Sequence, residues 1–154
     1  MVDEGTQAPD FQLESDTGET VRLSSLRGNP VVLYFYPRDH TSGCTTQACG
    51  IRDAWSEFER AGAVVLGVSP DDVASHESFR ADYELPFTLL ADPDHRVAEL
   101  YGVWGEKSRY GRTYMGINRT TFVIAPDGTV EKVFRGVKPA THAEDVLAVL
   151  GAAA

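Results

Sequence analysis

The spacing of apolar positions changes several times along this chain, and each change marks an element. Val31-Val32-Leu33-Tyr34-Phe35-Tyr36 is apolar or aromatic throughout and stands between Pro30 and Pro37. Such a β-branched and aromatic run predicts a strand buried on both faces, at the centre of an α/β sheet. It should stop at Pro37, which has no N–H to give to a ladder. Beyond it, Ala48, Ile51, Trp55 and Phe58 recur at helical spacing, and Gly62 supplies a stop. Thr41 or Ser42 stands where an N-cap is needed. One helix is expected between Thr41 and Gly62, with Cys44 in its first turn.

Alternation of apolar and polar residues around Asp16-Thr17-Gly18-Glu19 predicts an N-terminal β-hairpin made from residues 11–14 and 20–23. Residues 24–28 suggest a short helical turn closed by Gly28. Residues 63–68 form a second buried strand. Ser69-Pro70-Asp71-Asp72 then reads as an N-cap, a proline at the first helical position and an acidic first turn. The helix it opens carries Val73, His76, Phe79, Arg80 and Tyr83 and stops ahead of Pro86; His76 is expected to be a core or boundary residue. Residues 87–90 give a third strand, followed by a short helix through Val97, Leu100 and Tyr101. From Trp104 to Ile117 the chain is rich in glycine, aromatic and basic residues. An ordered loop is expected there, packed over the core or walling a substrate pocket. Residues 119–125 and 129–134 form a hairpin about Pro126-Asp127-Gly128. Thr141 and Glu144 have the spacing of a capping box before a last helix faced by Val146, Leu147 and Leu150.

A βαβ unit followed by β–β–α predicts one domain over residues 1–154, of α/β class with a thioredoxin-like order and a central mixed sheet flanked by helices. Composition adds limits to this. The 42% hydrophobic and 24% charged content is that of a globular chain. A net charge of −9 argues against nucleic acid as a partner, since no basic excess exists to release counterions. The acidic, polar N-terminus is unlike a signal peptide and no long apolar span follows, so a cytoplasmic location without membrane association is expected. Two cysteines in such a chain suit a redox use better than a structural bridge.

Both cysteines fall in the stretch after the central strand. A thiolate is the reactive form of cysteine, and the unpaired amides and dipole at a helix start favour it. A small buried hydrophobe is the other reading of Cys44; the polar Thr41-Ser42-Gly43 approach favours the reactive one. Cys49 lies five positions on. In an ideal helix that places the two Cα atoms roughly 8.7 Å apart, beyond the ~7 Å limit for a disulfide. Either the thiols never meet or the first turn unwinds when they do, and Gly50 weakens the helix there. The two cysteines and His40 do not complete a zinc site, and His76, His95 and His142 are scattered.

Pro37-x-x-x-Thr41-x-x-Cys44 resembles the peroxiredoxin active-site signature, and Cys49 five residues later is similar to the Q-type subgroup, the bacterioferritin comigratory proteins. Ala8-Pro9-Asp10-Phe11, Ala91-Asp92, residues 101–107, Tyr114-Met115-Gly116-Ile117 and Arg119-x-Thr121-Phe122-Val123-Ile124 resemble family segments in the expected order. Ser42 departs from the proline of many members. The resemblance implies a thioredoxin-like fold and a thiol peroxidase that reduces hydrogen peroxide and organic hydroperoxides. It makes Cys44 the peroxidatic nucleophile and Cys49 the resolving cysteine. Thr41 would set a hydroxyl beside the sulfur, Pro37 would shape and shield the turn, and Arg119 would stabilise the thiolate; Arg38 is expected to be solvated. The disulfide would be reduced by thioredoxin or a glutaredoxin-like protein. No bound cofactor or metal is needed, and a monomer is expected. The rival readings are a thiol–disulfide oxidoreductase, whose Cys-x-x-Cys is absent, and a redox-sensing partner protein.

Overall fold

A computed structural model describes residues 2–153. Among these, seven strands form one mixed sheet in the order β2-β1-β5-β4-β3-β8-β9. They are β1 (Gln12–Ser15), β2 (Thr20–Arg22), β3 (Val31–Phe35), β4 (Val64–Ser69), β5 (Thr88–Ala91), β8 (Thr120–Ile124) and β9 (Val130–Arg135). All five residues of β3 are buried, as a strand with neighbours on both edges and layers on both faces requires. It runs parallel to β4 and antiparallel to β8.

Side chains of β3 divide between two cores by the strand period of two. Val31, Leu33 and Phe35 join Leu66, Val68, Tyr101 and Phe122 on one face. Val32 and Tyr34 join Cys44, Ile51, Phe58, Phe79 and Val146 on the other. The second face is covered by α1 (Ser42–Asp53), α2 (Trp55–Arg60), α3 (Val73–Tyr83) and α5 (His142–Ala153); α4 (Arg96–Leu100) covers the first. The crossovers β3 to β4 and β4 to β5 step the same way across the sheet, and right-handed connections therefore put α1 and α3 on one side. Gly67 of β4 pairs with Tyr34. A Cβ there would lie 2.8 Å from the Tyr34 ring and 2.9 Å from Leu89, so only glycine admits the tyrosine.

The predicted strands, N-terminal hairpin and terminal helix are all present, and four details differ. The expected single helix breaks at Ala54 (φ −102°, ψ 15°) into α1 and α2. Apolar spacing carries through the bend, and no glycine or proline marks it. Gly62 does end α2, in the left-handed region at φ 71°. The expected loop from Trp104 to Ile117 is a separate two-stranded ribbon, β6 (Trp104–Arg109) and β7 (Arg112–Ile117), turned through Tyr110 and Gly111, both at positive φ. Its base packs on the first face through Ile117 and Trp104, away from Cys44, while Tyr110 at the tip is 91% exposed.

Helix α3 begins later than expected: Asp72 is its N-cap, accepting from the Ser75 amide at 2.8 Å, while Ser69 remains in β4. The Ser69 hydroxyl donates to Asp71 instead, so the serine serves the turn and not the helix. At α5 the Thr141 hydroxyl donates to Asp145 at 3.2 Å, one residue past the predicted Glu144. Among the described residues no helix is long and apolar enough to cross a membrane.

Candidate active site

The site forms where β3 runs out. Tyr36 still bonds to β4 through Val68, and the half-buried Pro37 turns the chain away from the sheet. His40 takes a positive φ of 62° at the apex of the turn. Thr41 is extended (φ −79°, ψ 154°) at the N-cap of α1, but its hydroxyl donates back to the carbonyl of Arg38 at 2.9 Å rather than to the helix. The first helical bond runs from the Thr45 amide to the Thr41 carbonyl. Cys44 is thus the third helical residue, among the amides that a helix start leaves unpaired.

Cys44 is buried, at 2% exposure, and Cys49 is half-buried; both thiols are free. They lie on one uninterrupted helix, so the ~8.7 Å Cα separation of ideal helical geometry applies. Arg119 enters from the neighbouring strand. The β3–β8 register pairs Phe35 with Thr120, which brings the residue before β8 beside the C-terminal end of β3. From there Arg119 Nη2 donates to Cys44 Sγ at 3.4 Å.

Two further residues shape this contact. Gln47, fully buried one turn beyond Cys44, accepts from Arg119 Nη1 through Oε1, and its Nε2 has no partner among the described residues. A Cβ on Gly43 would stand 3.2 Å from Arg119 Nη2, so the glycine leaves room for the guanidinium. Sequence reasoning assigned neither residue a role. The i, i+3 relation of Gln47 to Cys44 was the available signal, since it puts both on one helix face.

Behind the helix, His142 Nε2 and the Thr121 hydroxyl are 2.7 Å apart, and both residues are buried. Burial first, and the positive charge of Arg119 second, push the His142 pKa down to about 4, against an opposing pull from Asp145. The structure therefore brings Cys44, Arg119 and Gln47 into contact, while Thr41 and Pro37 border the turn that leads to them. Arg38 is exposed, as expected.

Comparison with known proteins decides the lineage. The family model described as the AhpC/TSA family matches residues 5–133. The chain belongs to this family. It is 49% identical over 146 residues to the putative peroxiredoxin bcp of Coxiella burnetii, covering 95% of this chain and 97% of that one. It is 46% identical over 149 residues to peroxiredoxin Bcp of Bacillus subtilis, covering 97% and 95%. Among solved structures, a bacterioferritin comigratory protein of Xanthomonas campestris, studied for its alkyl peroxide reduction activity, superposes with a TM-score of 0.91 at 39% identity, covering 98% and 99%. A cysteine mutant of Xylella fastidiosa PrxQ gives 0.94 at 34% identity, covering 99% and 98%. The fold is thioredoxin-like and the chain is a peroxiredoxin of the Bcp or Q type, a thiol peroxidase. Of the three activities weighed from the sequence, this membership selects the peroxidase.

Proposed function

We propose that Cys44 is the peroxidatic cysteine of this peroxiredoxin and Cys49 its resolving cysteine. The observation that carries the assignment is the 3.4 Å contact between Arg119 and a sulfur held in the first turn of α1. Cys49, farther along the helix, has Arg52 for a cationic neighbour, but Arg52 gives its hydrogen bonds to Asp53 and the Tyr83 carbonyl.

The Cys44 thiolate attacks the terminal oxygen of the hydroperoxide, the O–O bond breaks, and the electron pair leaves on the other oxygen, the one that carries the organic group or second hydrogen. That oxygen takes a proton and departs as water or an alcohol, leaving a sulfenic acid on Cys44. Arg119 faces the negative charge before and during transfer, a preorganised donor in a site screened from water. The proton of the Thr41 hydroxyl is committed to the Arg38 carbonyl. Its oxygen lone pairs are thereby turned to accept from the O–H of the peroxide and orient it. Pro37 fixes the turn that carries Thr41.

The first turns of α1 then unwind. The Cys49 thiolate attacks the sulfenic sulfur and the S–O bond breaks. The hydroxide that leaves takes up the proton given up by the Cys49 thiol and departs as water, and a disulfide joins Cys44 to Cys49. An external dithiol, thioredoxin or a glutaredoxin-like protein, reduces this bond by exchange. Hydrogen peroxide and organic hydroperoxides are the substrates, and the enzyme works as a single-domain monomer in the cytoplasm. Consumption of hydrogen peroxide and of an alkyl hydroperoxide, with the protein well below substrate concentration and each dithiol supplied in turn, tests this. Sustained turnover with at least one dithiol is expected, and none with any would refute the proposal.

A further inference from the structure

A second buried polar cluster stands on the other side of the catalytic turn. Asp39, in that turn, is 5% exposed, and His76 of α3 is wholly buried. His76 Nδ1 lies 2.7 Å from Asp39 Oδ2, and its Nε2 lies 2.9 Å from the carbonyl of Leu90. Ser75 also donates to Asp39 Oδ2, at 2.8 Å, and Tyr36 donates its hydroxyl to Oδ1. The Asp39 amide donates to Asp71 Oδ2 at 2.8 Å.

Proton counting restricts what this cluster can be. A carbonyl oxygen only accepts, so the His76 Nε2 must carry a hydrogen. Nδ1 faces a carboxylate oxygen at hydrogen-bond distance, and two bare acceptors would repel there. One proton therefore lies between Nδ1 and Oδ2. It belongs either to an imidazolium facing a carboxylate or to a neutral imidazole facing a carboxylic acid. Burial alone would raise the Asp39 pKa, but the hydrogen bond and charge of His76, with the Tyr36 and Ser75 hydroxyls, hold it below the ordinary value. Asp39, Asp71 and His76 also lie close enough to hold a cation. Protein donors already occupy the facing oxygens of both carboxylates, which favours a proton there over a metal.

We infer that Asp39 and His76 form a buried pair sharing one proton that positions the catalytic turn, fixing where α1 starts and hence where Cys44 meets Arg119. Only His40 and Thr41 separate Asp39 from α1. His40 is held to the same helix α3 through Asp82 at 2.9 Å and through ring contact with Phe79. The clamp binds the turn upstream of the cysteines and leaves residues 42–50 outside it. It thus serves as the fixed end from which α1 unwinds and to which it returns. Neither residue touches the sulfur; both act through the turn.

The kinetic part of this inference rests on Cys44 as the peroxidatic residue, and the spectroscopic part does not. Proton NMR of the reduced full chain, with His76→Gln supplying the assignment, should show a far-downfield, slowly exchanging proton held between His76 Nδ1 and Asp39. Absence of such a proton would overturn the pair. Asp39→Asn should abolish that downfield signal and slow oxidation of Cys44 by up to about 100-fold, the range for a misplaced reacting group. A folded Asp39→Asn protein oxidised within about two-fold of the wild-type rate would overturn the positioning role. Should that variant not fold, Ser75→Ala removes one donor from the same carboxylate without changing charge. It should slow oxidation by about 2-fold to 10-fold, the worth of one hydrogen bond, and an unchanged rate would equally refute the role. Failure of the Cys44 assignment would show separately, as peroxide-dependent oxidation that survives Cys44→Ser.

Discussion

Arg119 and Cys44, 75 positions apart in the chain, meet at 3.4 Å because the antiparallel pairing of β3 and β8 brings their elements to one corner of the sheet. The guanidinium is held there by Gln47, which accepts from its second terminal nitrogen. Arg119→Met should therefore slow the reaction of Cys44 with peroxide by about 100-fold to 1,000-fold, the usual cost of removing one preorganised donor. Stopped-flow fluorescence of the reduced protein gives the second-order constant. A constant unchanged in a folded variant would take Arg119 out of the mechanism.

Gln47→Ala should act in the same direction but more weakly. It leaves the half-buried Arg119 Nη1 without its acceptor, a loss of up to about 1.5–3 kcal/mol for a hydrogen bond to a charged group. The expected result is slower oxidation together with a lower unfolding midpoint. Loss of stability at an unchanged oxidation constant would make Gln47 a packing residue only.

Gly50→Ala separates the two chemical steps. Gly50 has no positive φ, and a Cβ there would meet only Ala143 at an ordinary 3.9 Å. Alanine should stabilise α1 by about 0.5–1 kcal/mol, slowing disulfide closure roughly 2-fold to 5-fold without changing sulfenic acid formation. Rapid quench with mass detection resolves the steps, and faster closure in the variant would contradict an unwinding helix.

His142 sets a pH dependence of stability. Its folded-state pKa of about 4 lies below the ordinary 6.5 because burial, and then Arg119, disfavour its charge. The unfolded chain takes up the proton first as pH falls, so stability is lost between about 6.5 and 4, by an amount of order 3 kcal/mol. Above 6.5 both states are neutral at this site and it contributes no slope. Denaturant midpoints at about pH 7 and pH 4.5 should fall less in His142→Gln than in the wild type. Equal falls would show that His142 accepts its proton without leaving its site.

The parts of this molecule that are local in sequence were legible there. Residues 31–36 announced β3 by their unbroken apolarity, and Pro37 with the following polar turn announced where α1 begins. The misread parts lacked a local marker. β7 buries only Ile117, so the ribbon shows no alternation, and Tyr110-Gly111 is not the Asn-Gly or Asp-Gly that signals such a turn. Ala54 bends its helix with a residue that ordinarily favours helix. Arg119 could be named only through the family resemblance, because spacing says nothing of a contact made across the sheet. From its helical spacing His76 reads as a core or boundary residue. It is buried in the core, yet its partner Asp39 lies 37 positions earlier, in the turn that leads into α1.

Under the proposed roles, Cys44 takes the oxygen and Cys49 resolves it. Treatment of Cys49→Ser with one equivalent of hydroperoxide, followed by a sulfenic-acid trap and peptide mass analysis, tests it most directly. The modification should appear on Cys44, stable for want of a partner, while Cys44→Ser treated alike should remain unmodified at Cys49. Trapped sulfenic acid on Cys49 in Cys44→Ser, with none on Cys44 in Cys49→Ser, would reverse the assignment.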